Sequence, residues 1–323
     1  MSKPILILQD LKKYFQVRKG FLSFQKREFV RAVDDVNLSV GEGETLALVG
    51  ETGSGKTTIA KLILRLIDPT EGKIFFDEID LLAHKKAELK RIRRHMQMIF
   101  QDPFASLNPR MTIGDIVGLP LRIHKIVNRD EIRKRAKEIL DSVGLVPGSE
   151  FIDRYPHEFS GGQRQRIGIA RAIATHPKLI VADEPVSALD VSIRSQILNL
   201  LKDLKDQFDI TFLLIGHDLS VIRHMSDRVA VLYLGKIIEL APTEDLFTNP
   251  RHPYSKALIS AVPIPDPTSR KQIVKLEGER PNPINPPSGC VFHPRCPYSK
   301  SICTKRKPEL LEISNHHLVA CHS

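Results

Sequence analysis

Gly50-Glu51-Thr52-Gly53-Ser54-Gly55-Lys56-Thr57 fits the pattern G-x-x-x-x-G-K-[ST] at every fixed position, and Thr58 continues it into the next element. The chemistry this pattern serves is phosphate binding. Glycines let the backbone curl until successive N–H groups converge on phosphate oxygens, and the following helix adds its positive end. Lys56 then bridges β- and γ-phosphates, and the Thr57 hydroxyl reaches Mg²⁺. A second element is Leu179-Ile180-Val181-Ala182-Asp183-Glu184. An acid at the tip of a buried strand suits the Mg²⁺ water shell, the role assigned to Asp183. Glu184, one residue on, is placed to orient and polarise an attacking water. The two elements together imply hydrolysis of a nucleoside triphosphate. No Asn-Lys-x-Asp guanine motif occurs, which argues against GTP.

Such residues work only if strands and helices hold them. Thr45–Val49 is a short apolar run feeding the glycine loop, and Ile59, Leu62, Ile63 and Leu66 recur at helical spacing after it. Ile5–Leu8 and Val33–Val40 read as earlier strands, and 179–182 and Thr211–Ile215 as fully buried ones. A helix over about 191–207 joins the last two in a βαβ crossover. Residues about 104–178 read as helical, with 130–143 the clearest stretch. The prediction is an α/β fold: a mostly parallel P-loop NTPase (RecA-like) sheet with an antiparallel β subdomain and a helical insertion. It divides into a nucleotide domain over 1–250 and a small extension over 251–323. Pro263, Pro265, Pro267, Pro281, Pro283, Pro286 and Pro287 make that extension read as extended chain before a cysteine cluster.

Composition narrows the setting. Hydrophobic residues at 41% and charged residues at 27% are ordinary for a globular protein. No run of 18 apolar residues occurs, and the start Met1-Ser2-Lys3-Pro4 lacks a secretory h-region, so a cytoplasmic location is expected. The net charge of +10 suits an anionic partner, but runs such as Lys85-Lys86 and Lys90–Arg94 read as ordinary helix surface.

A third element points to a family. Phe159-Ser160-Gly161-Gly162-Gln163 resembles the ABC signature, about 20 residues before Asp183 as in that family. Gln101 after Met98-Ile99-Phe100 resembles the Q-loop glutamine. Ser187-Ala188-Leu189-Asp190 looks like the D-loop, and His217 like the switch histidine. The resemblance spans residues 1 to about 250. It implies that two such domains face each other head to tail, Ser160, Gly161, Gly162 and Gln163 of one contacting the γ-phosphate held by the other. It also implies that His217 steadies Glu184 and its water, that Gln101 reaches Mg²⁺, and that an aromatic stacks on adenine. Phe15 has the family's spacing and Tyr14 beside it is a rival.

Gln101–Arg110 and Asn249–Leu258, the latter holding His252-Pro253-Tyr254, are similar to segments of the oligopeptide and dipeptide importers, a branch that includes nickel importers. That resemblance implies a peripheral subunit on the cytoplasmic face of the membrane. Its partners would be a second, paralogous ATPase, two transmembrane permeases and, indirectly, a substrate-binding protein, with no nucleic acid. A soluble ABC ATPase acting on nucleic acid or ribosomes is the alternative, disfavoured by the single P-loop and the lack of sustained heptads. The four cysteines, Cys290, Cys296, Cys303 and Cys321, suit a Cys₄ site for Zn²⁺ or a [4Fe–4S] cluster, or are free thiols. The gaps exceed usual zinc spacing, and the resembling importers carry a cluster here. His293, His316, His317 and His322 are substitute ligands in the zinc case.

Overall fold

The computed structural model describes residues 3–17, 28–262, 274, 276–314 and 316–323. Met1, Ser2, Pro263, Pro265 and Pro267 lie outside the described residues. In chain order come β1 (Pro4–Gln16), β2 (Phe29–Gly41), β3 (Thr45–Val49), α1 (Lys56–Ile63), β4 (Glu71–Phe76), β5 (Ile79–Asp80), α2 (Lys86–Arg93) and β6 (Met96–Ile99). Then follow α3 (Pro103–Ser106), α4 (Ile113–Ile123), α5 (Ile132–Ser142), α6 (Gly148–Phe151), α7 (Gly161–Ile173), β7 (Leu179–Asp183), α8 (Val191–Phe208) and β8 (Thr211–Gly216). The last are α9 (Leu219–Met225), β9 (Arg228–Tyr233), β10 (Lys236–Pro242), α10 (Thr243–Thr248), α11 (Pro253–Ser260), α12 (Ser301–Lys305), β11 (Leu311–Ser314) and β12 (His317–Val319). None of the helices among the described residues is long and apolar enough to cross a membrane.

The chain packs as two compact units. One is chiefly Leu82–Leu214; the other gathers Pro4–Val40, Thr45–Leu81 and Ile215–Ser323.

In the second unit β2, β1, β4 and β5 form one sheet in that order, β1 pairing antiparallel with β4 from Leu6↔Phe76 to Lys12↔Glu71. This is the expected antiparallel subdomain, with longer strands than apolar alternation alone marked. β3 is buried at all five residues and runs parallel to β9, Val49 opposite Val231. A strand covered on both faces needs apolar residues throughout, which is why it reads as a run rather than an alternation. β9 turns back into β10 antiparallel, and β12 then pairs with β10 and β11.

Beyond Cys303 the chain returns to this sheet. Its last strand joins β10 with Glu239 opposite Val319. Glu239 itself is fully buried and accepts three hydrogen bonds: from Arg251 N at 2.7 Å, His252 N at 2.9 Å and His317 Nε2 at 2.7 Å. A buried carboxylate is tolerable only with such partners. Val291, Phe292, Cys303, Val319 and Ala320 are buried, so the extension also contributes apolar packing.

In the first unit β6 and β7 pair in parallel, Met96 opposite Leu179, with β8 on the other side of β7. α8 makes the crossover, burying Ile197, Leu201 and Leu204, and ends where Asp209 takes a left-handed conformation at φ 53°. The predicted helical insertion is α3 to α7. α5 presents Ala136, Ile139 and Leu140 at i, i+3 and i+4, the stripe that made it legible. α4 packs on both α5 and α7. α2 buries only Leu89 and keeps its basic residues on a wetter face, as the charge runs suggested.

Candidate nucleotide site

β3 delivers the phosphate-binding loop and α1 leaves it. Gly50 has φ 149° and Gly55 φ 113°, values that side-chain-bearing residues rarely adopt. A Cβ would sit 2.1 Å from Leu232 O at Gly50, and 2.2 Å from Ala32 O at Gly55. The glycines are thus required by close backbone approach as well as by dihedral angle. Lys56 is 6% exposed and its Nζ donates to Gly50 O at 2.7 Å and Glu51 O at 3.1 Å. The ammonium is folded over the loop it serves. Ser54 Oγ is buried without a hydrogen-bond partner, while Thr52, Gly53 and Thr57 are exposed and Thr58 half-buried. His217 lies in the same unit: with Glu51, Asp218 and Leu219 it lines a cleft of about 720 Å³, walled by Ala257, Ala261 and Val274. Asp218 caps α9, accepting from Ser220 N and Val221 N, and so fixes the turn that carries His217.

The other unit carries the acids. Asp183 ends β7 and is 5% exposed. Glu184 follows in the left-handed region at φ 47°, a conformation that costs a non-glycine residue energy and collects at functional sites. Gln101 Nε2 donates to Glu184 Oε2 at 2.9 Å, so the structure brings together two residues 83 positions apart that the sequence assigned to one reaction. Pro185 follows Glu184, and Ser187 N and Oγ both donate to Glu184 O, closing the turn toward Asp190. Asp190 is exposed at the start of α8.

Ser160 begins α7 in a reciprocal cap: its Oγ accepts from Gln163 N at 3.3 Å and Gln163 Oε1 accepts from Ser160 N at 3.0 Å. A Cβ at Gly162 would meet Ile193 Cγ2 at 2.5 Å, so a side chain there would force Ile193 to shift. Phe159 is 4% exposed and lies 5.9 Å from the Phe151 ring, so its bulk fills core rather than facing a ligand.

A scan against family models matches residues 33–187 to the ABC transporter family and 238–303 to the oligopeptide/dipeptide transporter C-terminal region. Oligopeptide transport ATP-binding protein AppF of Bacillus subtilis is 51% identical over 99% of this chain and 98% of its own length. Oligopeptide transport ATP-binding protein OppF of Salmonella typhimurium is 52% identical over 99% and 96%. The chain belongs to the ABC transporter ATP-binding subunits. Among solved structures, the dimeric cassette MJ0796 in a post-hydrolysis state with ADP and Pi is 33% identical, with TM-score 0.65 over 74% of this chain and 98% of that one. The cbiO1 subunit of the Clostridium perfringens cbiONQ transporter is 25% identical, with TM-score 0.64 over 76% and 91%. The P-loop fold and the ATPase assignment read from the motifs are thereby established.

Within this ABC subunit the two candidate aromatics differ. Tyr14 Oη donates to Asp34 Oδ1 at 2.6 Å, and burial with this bond pushes its phenol well above the usual range. Phe15 is 41% exposed, with Lys13 Nζ 5.1 Å from its ring centre. Asp34 is also held by Lys236 at 3.0 Å, and its carboxyl lies below the ordinary value: burial opposes that, but the Tyr14 bond and Lys236 outweigh it.

All four cysteines are free, and Cys303 is buried. Cys290 is pushed up to about 11, by burial first and then by the charges of Cys303, Cys321 and Cys296, so the thiols lie within electrostatic reach of one another. Cys296 is raised by burial and by Cys321 and Cys303. As a donor set four soft thiols suit a metal group, but no group of three or more His, Cys, Asp or Glu side chains among the described residues is placed to hold a metal ion. The substitute histidines have other neighbours: His317 is held by Glu239, His293 by Cys290 O and His322 by Arg306 O, and His316 Nδ1 lies 4.0 Å from Glu312 Oε1. Sequence reasoning missed Tyr254, Arg280 and Arg295, all of which reach the phosphate-binding loop. The only signal was an acid, Glu51, in the variable middle of that loop.

Proposed function

We propose that this subunit hydrolyses ATP to drive the import of peptides through two transmembrane permeases, working as half of a head-to-tail pair with a paralogous ATPase. One observation carries the peptide assignment: full-length likeness at about half identity to two oligopeptide transport ATP-binding proteins, together with the match of residues 238–303 to that branch's C-terminal region. Residues 1–250 then form the nucleotide domain and 251–323 the extension. Peripheral attachment to the cytoplasmic face of the membrane follows. The exposed Phe104 in the segment after Gln101, 63% exposed with the Arg164 guanidinium 3.8 Å from its ring centre, supports a docking face beside the Q-loop.

In the reaction, backbone N–H groups of 50–57, Lys56 and Thr57 hold the β- and γ-phosphates. Mg²⁺, when bound, offsets phosphate charge; Thr57, Gln101 and Asp183 are the residues that would hold it or its water. Glu184 orients the water that attacks the γ-phosphorus and takes its proton. The bond from that phosphorus to the bridging oxygen breaks, leaving ADP and phosphate. His217 steadies Glu184 and the γ-phosphate. Ser160, Gly161, Gly162 and Gln163 complete the partner's site, with Asp190 at the junction, so that hydrolysis requires closure. Phe15 stacks on adenine, supported by its exposure and by the tether on Tyr14. Cys290, Cys296, Cys303 and Cys321 are the residues that would hold a [4Fe–4S] cluster, which would staple the extension; Zn²⁺ is the alternative. Iron and sulfide analysis after anaerobic purification tests this. Colourless, iron-free protein with stoichiometric zinc rejects the cluster.

The function itself is tested by affinity purification of the tagged chain from mildly solubilised membranes, followed by mass spectrometry. Two polytopic proteins and a second P-loop ATPase are expected. A soluble chain that brings down ribosomes or nucleic-acid enzymes overturns the importer assignment.

A further inference from the structure

Residues 51–53 of the phosphate-binding loop are each held by the C-terminal extension, a contact that the nucleotide motifs do not call for. The backbone N–H of Glu51 donates to Tyr254 Oη at 3.0 Å. Arg295 Nη1 lies 3.1 Å from Oε1 and 3.3 Å from Oε2 of the Glu51 carboxylate. Arg280 donates from Nη1 to Thr52 O and from Nη2 to Gly53 O, the latter at 2.5 Å. Its guanidinium also sits over Gly53, whose φ is 73°, where a Cβ would meet Nη1 at 3.1 Å.

These holds are anchored. Tyr254 is fully buried and packs on Tyr233 at 4.8 Å and Phe292 at 5.6 Å between ring centres. Tyr233 closes β9, the parallel neighbour of the strand that feeds the loop. Phe292 and Arg295 lie between Cys290 and Cys296, on a turn where His293 N donates to Cys290 O and Arg295 N to Phe292 O. The cysteine-bearing turn is therefore built onto the outer side of the loop. The Arg295 side chain is 11% exposed and that of Glu51 32%, so the pair is partly shielded from solvent.

The geometry has a direct meaning for phosphate binding. In a trans peptide the carbonyl and the next N–H point in opposite directions. Fixing Thr52 O toward Arg280 aims the Gly53 N–H the other way, and fixing Gly53 O sets Ser54 N–H, which donates to Glu51 O at 3.0 Å. A planar guanidinium presents its parallel donors as a rigid fork and so fixes the orientation of two successive carbonyls, where a lysine ammonium is a point charge on a flexible stem. The loop is then ordered before nucleotide arrives, and binding is spared that entropy loss.

We propose that Arg280 and Arg295 are positioning residues for ATP binding, through which the cysteine-bearing extension sets the affinity of the phosphate-binding loop. The test uses the full-length chain, with a fluorescent N-methylanthraniloyl ATP for binding and the reconstituted transporter for turnover. Arg280→Gln and Arg295→Gln should each raise Kd and KM for ATP about three- to tenfold, the range of one or two partly exposed charge-assisted hydrogen bonds, with kcat within twofold. Arg280→Lys should recover only part of the loss. Arg280 is partly exposed, so its variant decides the matter even if Arg295→Gln fails to fold. Its thermal unfolding without nucleotide should match the parent, while the ATP-induced rise in Tm shrinks. Unchanged KM in folded Arg280→Gln, a fall in KM, or a loss confined to kcat each overturns the proposal.

Discussion

His252 should make the protein acid-sensitive in a way that one substitution can isolate. Its imidazole is 1% exposed, its Nδ1 accepts from Tyr254 N at 3.1 Å, and burial pushes it down to about 3. The ring lies 5.4 Å from that of Phe292, and the backbone N–H beside it donates to the Glu239 carboxylate. In the unfolded chain the same group titrates near the ordinary 6.5. Between those two values the unfolded chain binds a proton that the folded chain refuses, so stability rises with pH across the window. The contribution is fully present above about 6.5 and is lost as the pH falls toward 3. At about 1.4 kcal/mol per pH unit, moving from pH 7.5 to pH 5 should remove about 2 kcal/mol through this residue. His252→Asn keeps a cap acceptor for Tyr254 N and has no titration in this range. Urea unfolding of both proteins at the two pH values supplies the comparison. The parent should lose about 2 kcal/mol more than the variant, the other titrating groups cancelling in the difference. Equal losses would refute the assignment of a neutral, buried His252.

Glu184→Gln should keep ATP binding, lose hydrolysis by about 100-fold or more, and accumulate a closed ATP-bound dimer on gel filtration. Phe15→Ala should weaken nucleotide binding about tenfold, read by fluorescence titration, as expected for one lost base stack. Tyr14→Phe should leave that affinity alone and lower stability by about 1 kcal/mol in chemical unfolding, because it removes only the Asp34 bond. Gly55→Ala, which must push its Cβ against Ala32 O, should abolish ATP binding and lower Tm in a thermal melt.

How far the sequence reached depends on how local each cause is. The strand, loop and helix from Thr45 to Ile63 were legible because burial on both faces forces an apolar run and the loop needs glycine where Cβ atoms have no room. Gln101 and Glu184 were each legible through motif order, just beyond the ends of two strands that pair in parallel, but the hydrogen bond between them was not. The tether of Tyr14 was not legible either, because it depends on Asp34, whose partner role no local pattern announces. The last two strands were not legible, because β11 is exposed at all four residues and β12 is only three residues long. Their place is set by Glu239 and β10, far back in the chain. Arg280 and Arg295 were hidden for the same reason: their targets are backbone carbonyls and one acid more than 200 residues earlier.

The Glu239 knot also gives the protein a timetable. His317 is made 78 residues after the carboxylate it must satisfy. At roughly 5–20 residues per second a ribosome needs about 4–16 s to cover that distance. Until His317 arrives, β10 has no strand to cover its outer edge and Glu239 lacks its imidazole. A message truncated before codon 317 would freeze the chain in that state, with an unpaired edge open to chaperones, proteases or a second copy of itself. Closure of this edge therefore waits on residues made long after the strand they cover.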